Sequence, residues 1–127
     1  MSSKKKFELE FYVRSSVKIL YNCLSTSSGL SGWFADDVTI KKDLAKFAWD
    51  GSVEEAIVVS KKADQYIRFQ FLEDEDTDNY FEFAIKTDPL TGDVALIITD
   101  FAEEDEVEEQ TMLWESQIGE LLRMLGS

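Results

Sequence analysis

Residues 7 to 13 alternate strictly, with Phe7, Leu9, Phe11 and Val13 on one face and Glu8, Glu10 and Tyr12 on the other. That period of two is the signature of a half-buried strand. Arg14-Ser15-Ser16 ends it, and Ser15 or Ser16 is placed to cap a helix carrying Val17, Leu20, Tyr21 and Leu24 at three- and four-residue spacing. Ser25-Thr26-Ser27-Ser28 breaks that helix and offers a second cap, so Gly29 to Phe34 reads as another brief helical turn leading into an aromatic pair. From residue 36 strand follows strand. Val38 and Ile40 alternate; Lys46-Phe47-Ala48-Trp49 runs into the tight-turn pair Asp50-Gly51; Val53, Ile57 and Val59 predict the apolar line of the next strand. Ile67, Phe69 and Phe71 alternate with Tyr66, Arg68 and Gln70, and Phe81, Phe83 and Ile85 with Glu82, Ala84 and Lys86. Asp88 to Asp93 then turns the chain into Val94 to Thr99, its most apolar run.

The period changes to helical at the end. From about Glu103 to Leu125 no proline interrupts, and Val107, Thr111, Trp114, Ile118, Leu121, Leu122 and Leu125 share one face, widened by Leu113, Gln117 and Met124. At about 1.5 Å per residue such a helix is roughly 30 Å long, enough to lie across a sheet. Asp100 or Thr99 is the expected N-cap and Gly126 the stop. No repeat or linker interrupts the 127 residues, so one α+β domain over 1–127 is expected.

Composition limits the chemistry. The chain has 13 basic and 26 acidic side chains, a net charge of −13, and the imbalance is local: residues 1–62 hold 10 against 8, residues 63–127 hold 3 against 18. So acidic a chain lacks the attraction that drives nucleic-acid binding and is repelled by anionic membrane surfaces. With no His, the commonest general base and imidazole metal ligand is absent, and the single Cys23 excludes an internal disulfide or thiolate cluster. No apolar signal core follows Met1-Ser2-Ser3-Lys4-Lys5-Lys6, and no stretch approaches the roughly 18 apolar residues of a spanning helix, so a cytoplasmic protein without membrane insertion is expected.

Strand, two short helices, about six strands and a long C-terminal helix is the order of the helix-grip fold, a sheet of about six to seven antiparallel strands wrapped around that helix. The junction Val13-Arg14-Ser15-Ser16, the stretch Leu24 to Phe34 and the tail Leu113 to Ile118 with Leu121, Leu122, Leu125 and Gly126 resemble the START-like superfamily, also called SRPBCC. Within it the chain is most similar to the compact bacterial group of Bacteroidetes type, related to the chaperone-activator homologues. The resemblance implies a hydrophobic cavity between sheet and helix, since members include lipid-transfer domains and polyketide cyclases.

Weighed residue by residue, Trp49, Phe69, Phe71, Phe81 and Phe83 would line such a cavity, although inward aromatics are also ordinary core. Trp33 and Phe34 would gate its entrance or anchor the second short helix; Leu113, Gln117 and Met124 would form the helix wall, with Gln117 or Thr111, and less so Glu120, orienting a ligand. Asp74, Asp76, Asp78 and Asn79 imitate the start of a calcium loop, but the sixth position is Asn79 where Gly is needed and the twelfth is Ile85 where Glu is needed. A solvated hairpin tip and no metal or cofactor is the reading. The acidic run 103–109 suits the positive end of a helix, Lys41, Lys42, Lys46, Lys61 and Lys62 suit a protected sheet edge, and Cys23 suits a buried structural thiol. The leading function is therefore non-catalytic binding of a small hydrophobic or amphipathic ligand, a lipid or aromatic metabolite, by a monomer or homodimer. A protein-interaction module with a protein partner ranks second. A cyclase-like enzyme ranks third, because Tyr66 and Arg68 point away from Phe69 and Phe71.

Overall fold

The computed structural model describes residues 4–126; the segment Met1-Ser2-Ser3 read above lies outside the described residues. Strand β1 (Lys4–Val13) leads through helices α1 (Val17–Ser25) and α2 (Ser27–Ser31) to β2 (Asp37–Lys41), β3 (Leu44–Trp49), β4 (Ser52–Lys62), β5 (Tyr66–Phe71), β6 (Phe81–Thr87), β7 (Val94–Glu103) and helix α3 (Val107–Leu125). All seven strands form one antiparallel sheet in the order β1-β7-β6-β5-β4-β3-β2. This is the α+β helix-grip arrangement expected from the sequence. Six of the strands are successive hairpins, and the chain's first strand closes against its last.

Local chemistry explains the elements. Ser16 caps α1 by accepting the Ile19 N–H at 3.1 Å, and Thr26 caps α2 by accepting the Gly29 N–H at 2.9 Å. Asp50 and Gly51 both adopt positive φ, 48° and 84°, the requirement of the two-residue turn that joins β3 to β4. α3 ends at Gly126, left-handed at φ 72°, whose N–H reaches the carbonyls of Arg123 and Leu122.

The inner face of the sheet packs against all three helices. Phe47, Phe69, Phe83, Leu20, Leu24, Leu30, Ile67, Leu96, Ile98, Ile118 and Leu121 are fully buried there, and each large side chain removed from water contributes about 1.5–3 kcal/mol. Trp33 fixes α2 to α1 through its Nε1–H, which donates to the Cys23 carbonyl at 2.9 Å, while the Ile40 N–H donates to Ser27 Oγ at 3.0 Å and ties α2 to β2.

Two expectations are corrected. Val53, Ile57 and Val59 do not form the buried line of β4: Val53 is 61% exposed and Val59 48%, whereas Ala56 and Val58 are buried. The reason is register, since Phe47 pairs with Glu54, Ala45 with Ala56 and Phe69 with Val58, which fixes the even-numbered residues on the inner face as far as the bulge at Val58/Ser60. Nor do Thr99 or Asp100 cap α3. β7 continues to Glu103 because Thr99 to Glu103 pair residue for residue with Glu8 to Lys4 of β1, and a 3-10 turn, Glu104–Glu106, intervenes before the helix begins at Val107. Glu106 occupies the cap position without a side-chain bond, leaving Glu108 and Glu109 in the first turn to complement the helix dipole.

Candidate functional site

One flank of α3 runs beside the inner face without closing on it, and the gap is a furrow. Its central part, about 350 Å³, is lined by Phe34, Trp49, Phe71, Phe81, Gln110, Leu113, Trp114, Ser116 and Gln117. Helical spacing puts Gln110, Leu113, Trp114 and Gln117 on that flank, and strand alternation puts Trp49, Phe71 and Phe81 opposite. Volume and lining match the lower end of small-molecule sites, apolar walls with a few polar groups.

The furrow continues in both directions. Toward the C-terminal half of α3 lies a depression of about 460 Å³ lined by Ser31 to Asp36, Trp49, Gln117 and Glu120. The wall between the two is a polar clamp: the carbonyl of Phe34 accepts the Trp49 Nε1–H at 2.8 Å and the Gln117 Nε2–H at 2.9 Å. Toward the start of α3 a third depression, about 300 Å³, shares Phe71, Phe81 and Gln110 with the central part and adds Lys4, Glu54, Glu73, Asp74, Asn79, Tyr80, Asp100 and Phe101.

What keeps the furrow shallow is Phe34. Its ring, 5% exposed, enters the space between sheet and helix with the rings of Trp33, Phe47, Trp49, Phe81, Phe83 and Trp114 centred 5.0 to 5.8 Å away. Of the residues singled out in the sequence, Phe34, Trp49, Phe71, Phe81, Leu113 and Gln117 meet at the central part and Trp33 at the neighbouring depression. Phe69 and Phe83 lie behind them, fully buried among other rings, and so belong to the floor of the core. Met124 packs its thioether over Gly32, away from the central part. Thr111 donates to the Val107 carbonyl within its own helix at 2.8 Å, and Glu120 holds Arg123 at 2.7 Å.

A model of the START-like superfamily domain matches residues 1–127. The chain belongs to the START-like superfamily. A Bacteroides fragilis protein solved by NMR is 38% identical to this START-like domain, with 98% of this chain and 92% of that one covered and a TM-score of 0.70. The Aha1 dimer from Colwellia psychrerythraea is similar at 16% identity, 95% and 96% coverage and a TM-score of 0.79. A Cytophaga hutchinsonii protein is similar at 12% identity, 99% and 97% coverage and a TM-score of 0.74. The last two likenesses are of fold alone. No curated protein matches the chain.

The START-like domain carries two inner-face carboxylates that the sequence patterns did not single out as site residues. Glu54 lies on the inner face because it pairs with Phe47. Asp100 is held where β7 meets α3: its Oδ2 accepts the Trp114 Nε1–H at 2.8 Å and its Oδ1 the Phe101 N–H at 2.8 Å. Burial pushes the Asp100 carboxyl above its ordinary 3.8, Asp74 adds to the rise, and the two hydrogen bonds and Lys4 pull it back. The outer face is differently occupied. There Arg68 binds Glu82 at 2.9 Å and lies 4.0 Å over the Tyr80 ring, and Tyr66 hydroxyl bonds Ser60 Oγ at 2.6 Å, so the strand polar groups are engaged away from the furrow. Burial pushes up the Cys23 thiol as well. Among the described residues no group of His, Cys, Asp and Glu side chains is arranged to hold a metal ion, and no helix is long and apolar enough to cross a membrane.

Proposed function

We propose that this START-like domain binds a small hydrophobic or amphipathic molecule, a lipid or aromatic metabolite, in the furrow between α3 and the sheet, without catalysis. The observation that carries the reading is the composition of the central part: Phe34, Trp49, Phe71, Phe81 and Trp114 form apolar walls, and Gln110, Ser116 and Gln117 stand among them from the helix side. Apolar ligand surface buried there at about 25 cal/mol per Å² supplies affinity, and the amides supply orientation. Leu113, 54% exposed, is the most open apolar residue lining the central part, where a bound molecule could cover it.

The test is native mass spectrometry of freshly purified protein, followed by titration with neutral apolar fluorescent probes and NMR mapping of the shifted amides. Binding that perturbs Leu113, Gln117 and Phe71, and that Leu113→Glu abolishes with stability unchanged to within about 0.5 kcal/mol, supports the reading. No retained ligand and no probe binding across a lipid and aromatic panel sinks it. A second reading, a protein-interaction module, is favoured by one observation: the Phe34 ring already fills the interior that a lipid carrier would keep open. It requires capture of a partner that weakens with salt, because exposed charges are screened beyond about 8 Å at physiological ionic strength.

A further inference from the structure

The furrow is not electrically uniform along its length. Its central part has no charged lining residue, whereas the depression at the start of α3 brings Glu54, Glu73, Asp74 and Asp100 together against the single base Lys4. The two parts are continuous through the rings of Phe71 and Phe81, centred 5.1 Å apart, which line both.

On the reading of the furrow as a binding site, we propose that its ligand is an organic cation, with an apolar body along Leu113 and Trp114 and an ammonium head beside Phe71 and Phe81 among Glu54, Asp74 and Asp100. Two independent features favour a positive head. Aromatic faces attract ammonium groups through the ring quadrupole, and the effect grows as water is excluded; the half-buried Phe71 supplies such a ring at the junction, with Phe81 buried behind it. The carboxylates supply the field, four negative charges against one Lys and the partial positive end of α3, which Glu108 and Glu109 already offset. The Asp100 carboxylate carries a burial cost that its hydrogen bonds and Lys4 do not fully cancel, and a cation seated beside it would relieve that cost. An anionic ligand, a fatty acid or a phosphorylated metabolite, would meet repulsion at the same place.

Three probes with one body and different heads test this: phenylbutylammonium, phenylbutanol and phenylbutyrate, titrated by calorimetry and NMR near neutral pH in low salt. The expected order is ammonium, then alcohol, then carboxylate, with the ammonium about 10-fold tighter than the alcohol. Added salt should narrow that gap. Glu54→Gln, at an exposed position that leaves the fold intact, should weaken the ammonium toward the alcohol while leaving alcohol binding unchanged. Equal binding of ammonium and alcohol, or tightest binding of the carboxylate, overturns the proposal and leaves the furrow reading standing. If none of the three binds, both fall.

Discussion

Trp114→Phe isolates the bond that ties α3 to the end of β7. Phenylalanine keeps a ring near Phe34 and Phe83, whose centroids lie 5.8 Å from that of Trp114, but removes the N–H that reaches Asp100 Oδ2 at 2.8 Å. A net hydrogen bond to a charged partner is worth about 1.5–3 kcal/mol, and the lost ring atoms of a side chain only 6% exposed add about 1 kcal/mol. The expected loss near neutral pH is therefore about 2.5–4 kcal/mol. In acid the Asp100 carboxyl is neutral, the lost bond is worth about 1 kcal/mol, and the total falls to about 2 kcal/mol.

The direction with pH follows from linkage. A carboxyl raised above its ordinary 3.8 in the folded state binds its proton more tightly there than in the unfolded chain, so its contribution is present below 3.8 and is lost as pH rises through the folded value. The Trp114 bond lowers that value, so removing it raises the value further and widens the window of loss. Urea unfolding followed by the fluorescence of Trp33 and Trp49, at about pH 3, below the ordinary carboxyl value, and at about pH 7, measures both free energies, and Asp100→Asn in each background closes a double-mutant cycle. An equal loss at the two pH values, with a coupling below about 0.5 kcal/mol, would refute the argument.

Gly119 lies inside α3 with open space where a Cβ would stand, so Gly119→Ala should stabilise by about 0.5–1 kcal/mol, read as a higher melting temperature. Gly29→Ala should do the reverse by about 1–3 kcal/mol in the same assay, because the new methyl meets the Asn22 carbonyl oxygen and sits 2.7 Å from Cys23 Cα, both backbone and unable to turn aside. Cys23, buried and with its thiol pushed up, should react with a disulfide reagent at the rate of unfolding, and immediate labelling of the native protein would contradict its placement.

The fold was legible because its signals are local. Alternation along Phe7 to Val13, Ile67 to Phe71 and Phe81 to Ile85, the serine and threonine caps, and the Asp50-Gly51 turn each specify an element from a few neighbouring residues. The lining of the candidate furrow is legible only in part. Trp49, Phe71, Phe81, Leu113 and Gln117 were found because inward aromatics and a widened helix face are visible in the sequence, but whether such a ring lines a furrow or a filled core depends on what packs behind it. Phe69 and Phe83 differ from Phe71 and Phe81 only in that respect. The inward position of Glu54 follows from the turn rather than from the apolar pattern. Three apolar residues, Val53, Ile57 and Val59, outvoted the turn, yet a two-residue turn pairs Trp49 with Ser52 and Phe47 with Glu54. If Phe47 faces inward, Glu54 must as well. Asp100 looks like a helix cap in the sequence because nothing local reveals that β1 extends to Lys4 and draws residues 100–103 into its ladder.

The acidic surplus of the C-terminal half acquires a position through the same pairing rules. Five acidic residues fall between 73 and 78 and seven between 100 and 109, far apart in sequence. β6 pairs with β5 on one side and β7 on the other, so the connection leaving β5 and the end of β7 emerge at one edge of the inner face, where Glu73, Asp74 and Asp100 line a single depression. Charge that would be costly to hold together in a compact chain is thus collected where the rings of Phe71 and Phe81 end. The meeting of those carboxylates beside the uncharged central part of the furrow is what an amphipathic ligand with a positive head would require.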